Sequence, residues 1–304
     1  MRARNGADDD LPLVTVVTPS FNQRRFIRET IDSVLGQGYP AIEYLVMDGG
    51  STDGTVDVLK DYGERIAWVS EPDGGQSAAI NKGWRQARGT VLAYLNSDDT
   101  YLPGAVERAV AALRQQPEVD VVYGEGYHVD VAGRILDRYP TEPFSPERLA
   151  EACFICQPTV FIRRPAAERV GYLDESLQFC MDYDLWIRLA CVARFAHVPE
   201  YLATSRLHPD NKTLSQSARV HAEILRVVWR HFGHVPPSWV YAYANAVLGP
   251  RRPTTAWAAT RFTARLIALT GVTLVRYNRR IPLSALARWP GLFRWAWRRR
   301  RCRR

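Results

Sequence analysis

The chain has 304 residues, 46% of them hydrophobic, which is enough to bury a full core in one large domain or one domain with an appendage. Its formal charge of +8 averages two unlike parts: all 32 carboxylates lie at or before Glu223, while residues 224–304 hold 17 arginines and no acid. The first 223 residues are therefore net −9 and the remainder +17, and the two parts join near residue 220. Five scattered cysteines argue against a disulfide framework. Cys153 and Cys156 have CxxC spacing without a second Cys or His pair, so they read as ordinary buried thiols rather than a zinc site.

The polar N-terminus has no apolar h-region or cleavage site, and the expectation is a cytoplasmic protein. Leu13–Phe21 (LVTVVTPSF) reads as a buried strand, and Arg24–Gln37 places Phe26, Ile27, Ile31, Val34 and Leu35 at helical spacing. A second strand (IEYLVMDGG) breaks at Gly49 and Gly50, and a short helix (TVDVLKDYG) follows with Gly63 after it. IAWVSEPDGG and VLAYLNSDD give two further strands on either side of a helix in SAAINKGWRQARG. This β-α-β-α order predicts a mainly parallel sheet covered by helices. Beyond Tyr123 the pattern loosens: VDVVYGEGYHVD and GRILDRY form a hairpin, EACFICQPTVFIRR offers a strand, and MDYDLWIRLACVA is helical.

The fourth strand stops abruptly at Asp98 and Asp99, so an apolar run that needs burial ends at paired carboxylates that need water or a cation. A plain alternative is that Asn96, Ser97, Asp98 and Asp99 form a turn capping a helix that starts near Pro103. The other three strands end in kind: Pro19, Ser20 and Asn22 after the first, Asp48 and Gly49 after the second, Asp73, Gly74 and Gly75 after the third. Parallel strands bring such ends to one edge, where α/β proteins bind ligands. Carboxylates suit ribose and base donors, glycines admit close backbone approach, and a diphosphate beside Asp98 and Asp99 requires a hard cation such as Mg²⁺ or Mn²⁺. Neither GxGxxG nor GxxxxGKS is present, which lowers dinucleotide dehydrogenases and P-loop NTPases.

VTVVTPSFNQ, YLVMDGGSTDGTVDVLKDY, SEPDGGQSAAINKGWRQARG, LAYLNSDD and GYLDESLQFCMDYDLWIRLA, in that order over roughly residues 12–212, resemble the motifs of the family 2 glycosyltransferases, inverting enzymes with the GT-A fold. The resemblance implies an α/β domain with a Rossmann-like, mixed but mainly parallel sheet and helices on both faces, over residues 12–215. Its nucleotide-sugar half is about 12–122 and its acceptor half about 123–215. It places Pro19, Ser20, Asn22, Asp48, Asp73, Gly74, Lys82 and Asp98 on the donor nucleotide, a UDP-, GDP- or dTDP-sugar. It puts Asp99 on the metal with Asp98 and His208, the last within the Arg-x-His-like RLHPDN stretch, and makes Asp182 the base that deprotonates the acceptor hydroxyl. Two positions depart from the family: Asn96 stands where many members carry the first acid of an Asp-x-Asp motif, and Met181 replaces a Glu beside the base. Independently, inverting transfer needs a carboxylate facing the acceptor, and Asp182 and Asp184, two apart at a helix start, cannot share a face.

Residues 216–304 form a basic helical extension in which Trp289, Phe293, Trp295 and Trp297 are interleaved with arginines. Arg261 and Arg265 interrupt the best apolar run, so no spanning helix is expected, and the expectation is peripheral attachment to the anionic inner face of the cell membrane. Nucleic-acid binding and a solvated tail are the rival readings, and no nucleic acid is expected. The function expected is metal-dependent sugar transfer to a glycan or lipid-linked acceptor of the cell envelope. The competing classes are a nucleotidyltransferase and a non-catalytic nucleotide-sugar-binding protein.

Overall fold

The computed structural model describes residues 11–249 and 255–298. The chain forms two compact units, Met1–Pro146 with Phe154–His208, and Glu147–Cys153 with Pro209–Arg304.

The first unit is built on β1 (Val14–Ser20), β2 (Ile42–Asp48), β3 (Ala67–Ser70) and β4 (Val91–Tyr94), alternating with α1 (Ile27–Leu35), α2 (Thr55–Asp61) and α3 (Gln76–Gln86). These four strands lie in the order β3-β2-β1-β4 and are all parallel. All seven residues of β1 are buried, as the β-branched run VTVVT requires of a strand covered on both faces. Pairing of β1 with β4 ends at Val17↔Tyr94, two residues before Pro19, so the missing proline N–H falls where the ladder is already opening. At Gly83 on α3 an added Cβ would lie 2.7 Å from both Val17 methyl groups, so glycine is what lets this helix seat on β1.

Beyond β4 the sheet continues through β8 (Phe161–Arg163), β6 (Val121–Val129), β9 (Phe195–Arg206) and β5 (Thr100–Tyr101), with β7 (Ile135–Arg138) paired to β6. The expected hairpin is the antiparallel β6–β7 pair. The strand expected across EACFICQPTVFIRR is confined to β8, because a 3-10 turn, Gln157–Thr159, built around Pro158, precedes it. The long β9 has no counterpart in the sequence reading. Its Pro199 breaks the apolar alternation, and the register jumps from Gly124↔Val198 to Glu125↔Tyr201, so Pro199 and Glu200 bulge out of the ladder with β6. The remaining helices of this unit are α4 (Ala105–Gln115), α6 (Arg164–Arg169) and α7 (Met181–Ala190).

The second unit is helical: α8 (Lys212–Ser215), α9 (Ser217–Phe232), α10 (Pro237–Leu248), α11 (Ala256–Asn278) and α12 (Leu283–Arg298), together with α5 (Pro146–Glu151). Trp239 Nε1 donates to the Ala150 carbonyl at 3.1 Å, and the Asn278 amide closes both backbone groups of Val235, at 2.7 and 2.8 Å. Arg261 and Arg265 lie within α11. Its span Trp257–Asn278, mean hydropathy 1.2, is long and apolar enough to cross a membrane by length and composition, although a third of it is buried against protein. The side chains of Phe293, Trp295 and Trp297, and residues 299–304, lie outside the described residues.

Candidate active site

The parallel register sets the site. Ser20, Asp48 and Ser70 are direct cross-strand neighbours at the ends of β1, β2 and β3. The buried Asp48 carboxylate accepts from the Ser70 hydroxyl at 2.6 Å, the Ser51 hydroxyl at 2.5 Å, and the Gly50 and Ser51 amides at 3.2 and 2.9 Å. It therefore shapes the DGGS turn as well as closing the strand end. Asn22, at φ 54°, ties the β1 end to the same turn: its N–H donates to Ser51 Oγ at 2.7 Å and its Oδ1 accepts from the Thr52 amide at 2.9 Å. Asp73 lies against this turn, since a Cβ added at Gly49 would sit 3.0 Å from its carboxylate, and it accepts from the Gly75 amide at 2.7 Å. Pro19, Ser20, Asn22, Asp48 and Asp73 are thus brought to one edge; Ser20 Oγ is buried there with no hydrogen-bond partner among the described residues. Gly74 opens α3 against Ala78, and Lys82, one turn further, is ion-paired with Glu71. Asp48→Ala is expected to strand the two turn amides and cost about 1–3 kcal/mol in urea unfolding; an unchanged midpoint would show that the turn does not depend on the carboxylate.

The Asn96–Asp99 turn does not cap the following helix. The chain pairs as β5 first, and α4 is capped by Gly104 in the left-handed region, without a side-chain hydrogen bond. The two carboxylates have different surroundings. Asp99, 3% exposed, turns inward: one oxygen accepts the Arg206 backbone N–H at 2.9 Å, the other accepts Asn96 Nδ2 at 3.1 Å. Burial, and then the neighbouring charge of Asp98, hold its carboxyl well above the usual carboxylate range. Asp98 instead places Oδ2 3.0 Å from His208 Nε2. Asn96, the departure from the Asp-x-Asp pattern, is a hub: its Oδ1 accepts from Gln76 at 2.8 Å and its Nδ2 also donates to Gln157 at 3.1 Å.

Arg206, 2% exposed, holds this turn from β9. Besides its backbone bond to Asp99, its guanidinium donates to the Asp98 carbonyl at 3.0 Å, to the Asp130 and Val131 carbonyls at 3.3 and 3.0 Å, and to Glu29 on α1 at 2.5 Å. Phe26 packs beneath both Arg206 and His208, at 5.0 Å from each. The sequence marked Arg206 only as part of RLH; Gln76, Gln157 and Glu29 carried no signal there.

Asp182 lies in the first turn of α7 and accepts the Tyr183 amide at 2.7 Å. It keeps part of its surface open, yet sits deep enough for burial to push its carboxyl up to about 6. Asp184 points elsewhere, fully buried in an ion pair with Arg188 at 2.7 Å. The segment entering α7 is pinned to α3 by Asn81, which bonds both backbone groups of Leu173, at 2.9 and 3.0 Å, and Glu175 at 2.8 Å. Asp174 forms a turn there by accepting Ser176 N–H and O–H. Among the described residues no group of three or more His, Cys, Asp or Glu side chains is gathered as a metal site, and Cys153 and Cys156 are not joined in a disulfide.

Residues 15–171 match the family described as glycosyl transferase family 2. The uncharacterized glycosyltransferase RP339 of Rickettsia prowazekii (strain Madrid E) is 32% identical over 210 residues, which cover 66% of this chain and 66% of that protein. Among solved structures, S. aureus TarS 1-349 in complex with UDP-GlcNAc superimposes with a TM-score of 0.60 at 17% identity, covering 96% of this chain and 93% of that one. The mannosyltransferase PcManGT from Pyrobaculum calidifontis, in complex with GDP-Man and Mn²⁺, gives 0.54 at 18% identity, covering 92% and 79%.

Proposed function

We propose that this chain, which belongs to glycosyl transferase family 2, transfers a sugar with inversion from a nucleoside-diphosphate donor to a hydroxyl of a glycan or lipid-linked acceptor of the cell envelope. The observation that carries the reading is the pairing of Asp98 with His208 at 3.0 Å, just past the end of β4 on the sheet edge where Ser20, Asp48 and Ser70 align. The two similar structures hold UDP-GlcNAc and GDP-Man, which supports a nucleotide-sugar donor without choosing between the nucleotides.

Asp48 and Asp73 offer acceptor oxygens to ribose and base, and Gly49 lets the backbone approach them. A carboxylate oxygen beside an imidazole nitrogen would hold a divalent cation such as Mn²⁺ more readily than the strictly oxygen-seeking Mg²⁺. A cation held by Asp98 and His208 would supply charge neutralisation for the leaving diphosphate. This moves the principal metal role from Asp99, whose oxygens are engaged inward, to Asp98.

Asp182 takes the proton of the acceptor hydroxyl. The freed oxygen forms its bond to the anomeric carbon as the bond from that carbon to the diphosphate oxygen breaks, and the electron pair leaves with the nucleoside diphosphate. A carboxyl raised to about 6 is a stronger base than an ordinary aspartate and is still ionised at neutral pH. Family membership sets aside a nucleotidyltransferase, and the raised Asp182 favours turnover over a binding-only protein.

The test is a panel of nucleotide sugars with Mn²⁺, read by thermal shift and by donor hydrolysis or transfer. UDP or GDP with Mn²⁺ should raise the melting temperature by several degrees over the same nucleotide with EDTA, and Asp98→Asn should lose that metal-dependent increment. An increment retained by Asp98→Asn and lost by Asp99→Asn would return the metal to Asp99. We place this activity at the cytoplasmic face of the cell membrane, through the arginine-rich second unit.

A further inference from the structure

The helix α11 has an outward face that protein packing does not use. Inward, Ala259, Thr263, Leu266, Thr270 and Leu274 repeat at helical spacing, and three buried threonines (Thr263, Thr270 and Thr273) lie on that side. Outward, Trp257, Arg261, Ala264, Ala268, Val272 and Val275 fall on one stripe and are all exposed. Trp257 is 69% exposed, Val272 68% and Val275 49%, so several of the larger apolar groups of this helix face away from the protein. Arg265, Arg276 and Arg279 flank the stripe, also exposed. The Arg261 guanidinium sits over the Trp257 ring at 4.4 Å, which holds the cation beside the aromatic plane.

We propose that this face of α11 lies in the plane of an anionic lipid surface. The helix is about 34 Å long at the usual rise, with Val272 and Val275 between Arg265 and Arg276 and with Trp257 at its start beside Arg261, an arrangement that suits the boundary between headgroups and acyl chains. Charge complementarity fixes the kind of surface: residues 224–304 carry 17 arginines and no acid of their own to repel phosphate headgroups. Spanning fits less well than lying flat. Arg261 and Arg265 are exposed in the N-terminal half of the helix and would enter hydrocarbon, and the opposite stripe is already covered by protein. The inference deepens the membrane part of the proposed function by naming its surface, and it does not depend on the transfer chemistry.

Flotation of the full chain tests it, with vesicles of phosphatidylcholine alone and with a fraction of phosphatidylglycerol. Bound protein should rise at least tenfold with the anionic lipid and fall in high salt. The variant Trp257→Ser/Val272→Ser/Val275→Ser, altered only at exposed positions, should lose at least fivefold in binding. Its melting temperature and its response to nucleotide with Mn²⁺ should stay as in wild type, which separates this result from any failure of the transfer reading. Equal binding to neutral vesicles overturns the proposal, as does wild-type flotation of the triple variant, which would assign binding to the terminal arginines. Protein that resists carbonate extraction and is released only by detergent also overturns it, in favour of a spanning helix.

Discussion

Asp182→Asn is expected to lower the turnover number about a thousand-fold while leaving the donor KM within about threefold, because only proton removal from the acceptor is lost. The same substitution should stabilise the protein above neutral pH. Burial raises the carboxyl from 3.8 to about 6, so the folded state keeps its proton where the unfolded chain has lost it. The penalty for ionising the buried group is absent below pH 3.8, grows as pH rises from 3.8 to about 6, and is full above that. At full size it is about 3 kcal/mol, and the neutral amide escapes it. Wild-type turnover should correspondingly climb with pH through about 6 and level off, whereas the residual activity of the variant should be flat in that range. Unchanged turnover in Asp182→Asn would remove the base assignment; lost turnover without the gain in stability would mean that the carboxylate is not buried as described.

The second large effect is on the turn itself. Arg206→Met keeps most of the volume but removes donors from the Asp98, Asp130 and Val131 carbonyls and the cation from Glu29, all around a nearly inaccessible site. A loss of about 1–3 kcal/mol in urea unfolding is expected from the carbonyls left without donors, whereas Glu29, 58% exposed, returns to water. At temperatures where the variant is still folded, the metal-dependent shift with nucleotide should shrink at least as much as in Asp98→Asn, because the Asp98 carbonyl has lost its anchor. Arg206→Lys should fall between, since one ammonium cannot span acceptors on four residues. A metal-dependent shift equal to wild type in folded Arg206→Met would show that the turn holds its geometry without the guanidinium.

The four parallel strands were legible because each is a short apolar run cut off by Gly, Pro or Asp, and their shared polar edge followed from being parallel. The loss of legibility begins where pairing is set by distant partners. β5 is two residues long and exists only because Thr100 and Tyr101 meet Thr204 and Ala203; β9 hides behind Pro199, which a bulge removes from the ladder. The carboxylates show the same limit. Adjacent Asp98 and Asp99 are alike in charge and setting in the sequence, and what separates them is an amide 107 residues away that donates to only one of the two carboxylates. Asn96 read as a weakened acid position; in the fold it gathers Gln76 and Gln157, neither of which is marked by spacing, beside Asp99. Arg261 and Arg265 do fall inside the apolar run, yet the helix continues through them, since arginine is a good helix former and both side chains reach solvent, and by length and composition it is still a candidate span.

The Arg206–Glu29 pair joins positions 177 apart and closes almost the whole first unit in one contact. During synthesis the early strands emerge and can collapse long before β9 exists, but the carboxylate turn has no cation beneath it until residue 206 has left the ribosome. A nascent chain short of that point would own its nucleotide edge without the clamp that orders Asp98. Closure of this turn is therefore a late event in the synthesis of the chain, set by a contact that spans 177 positions.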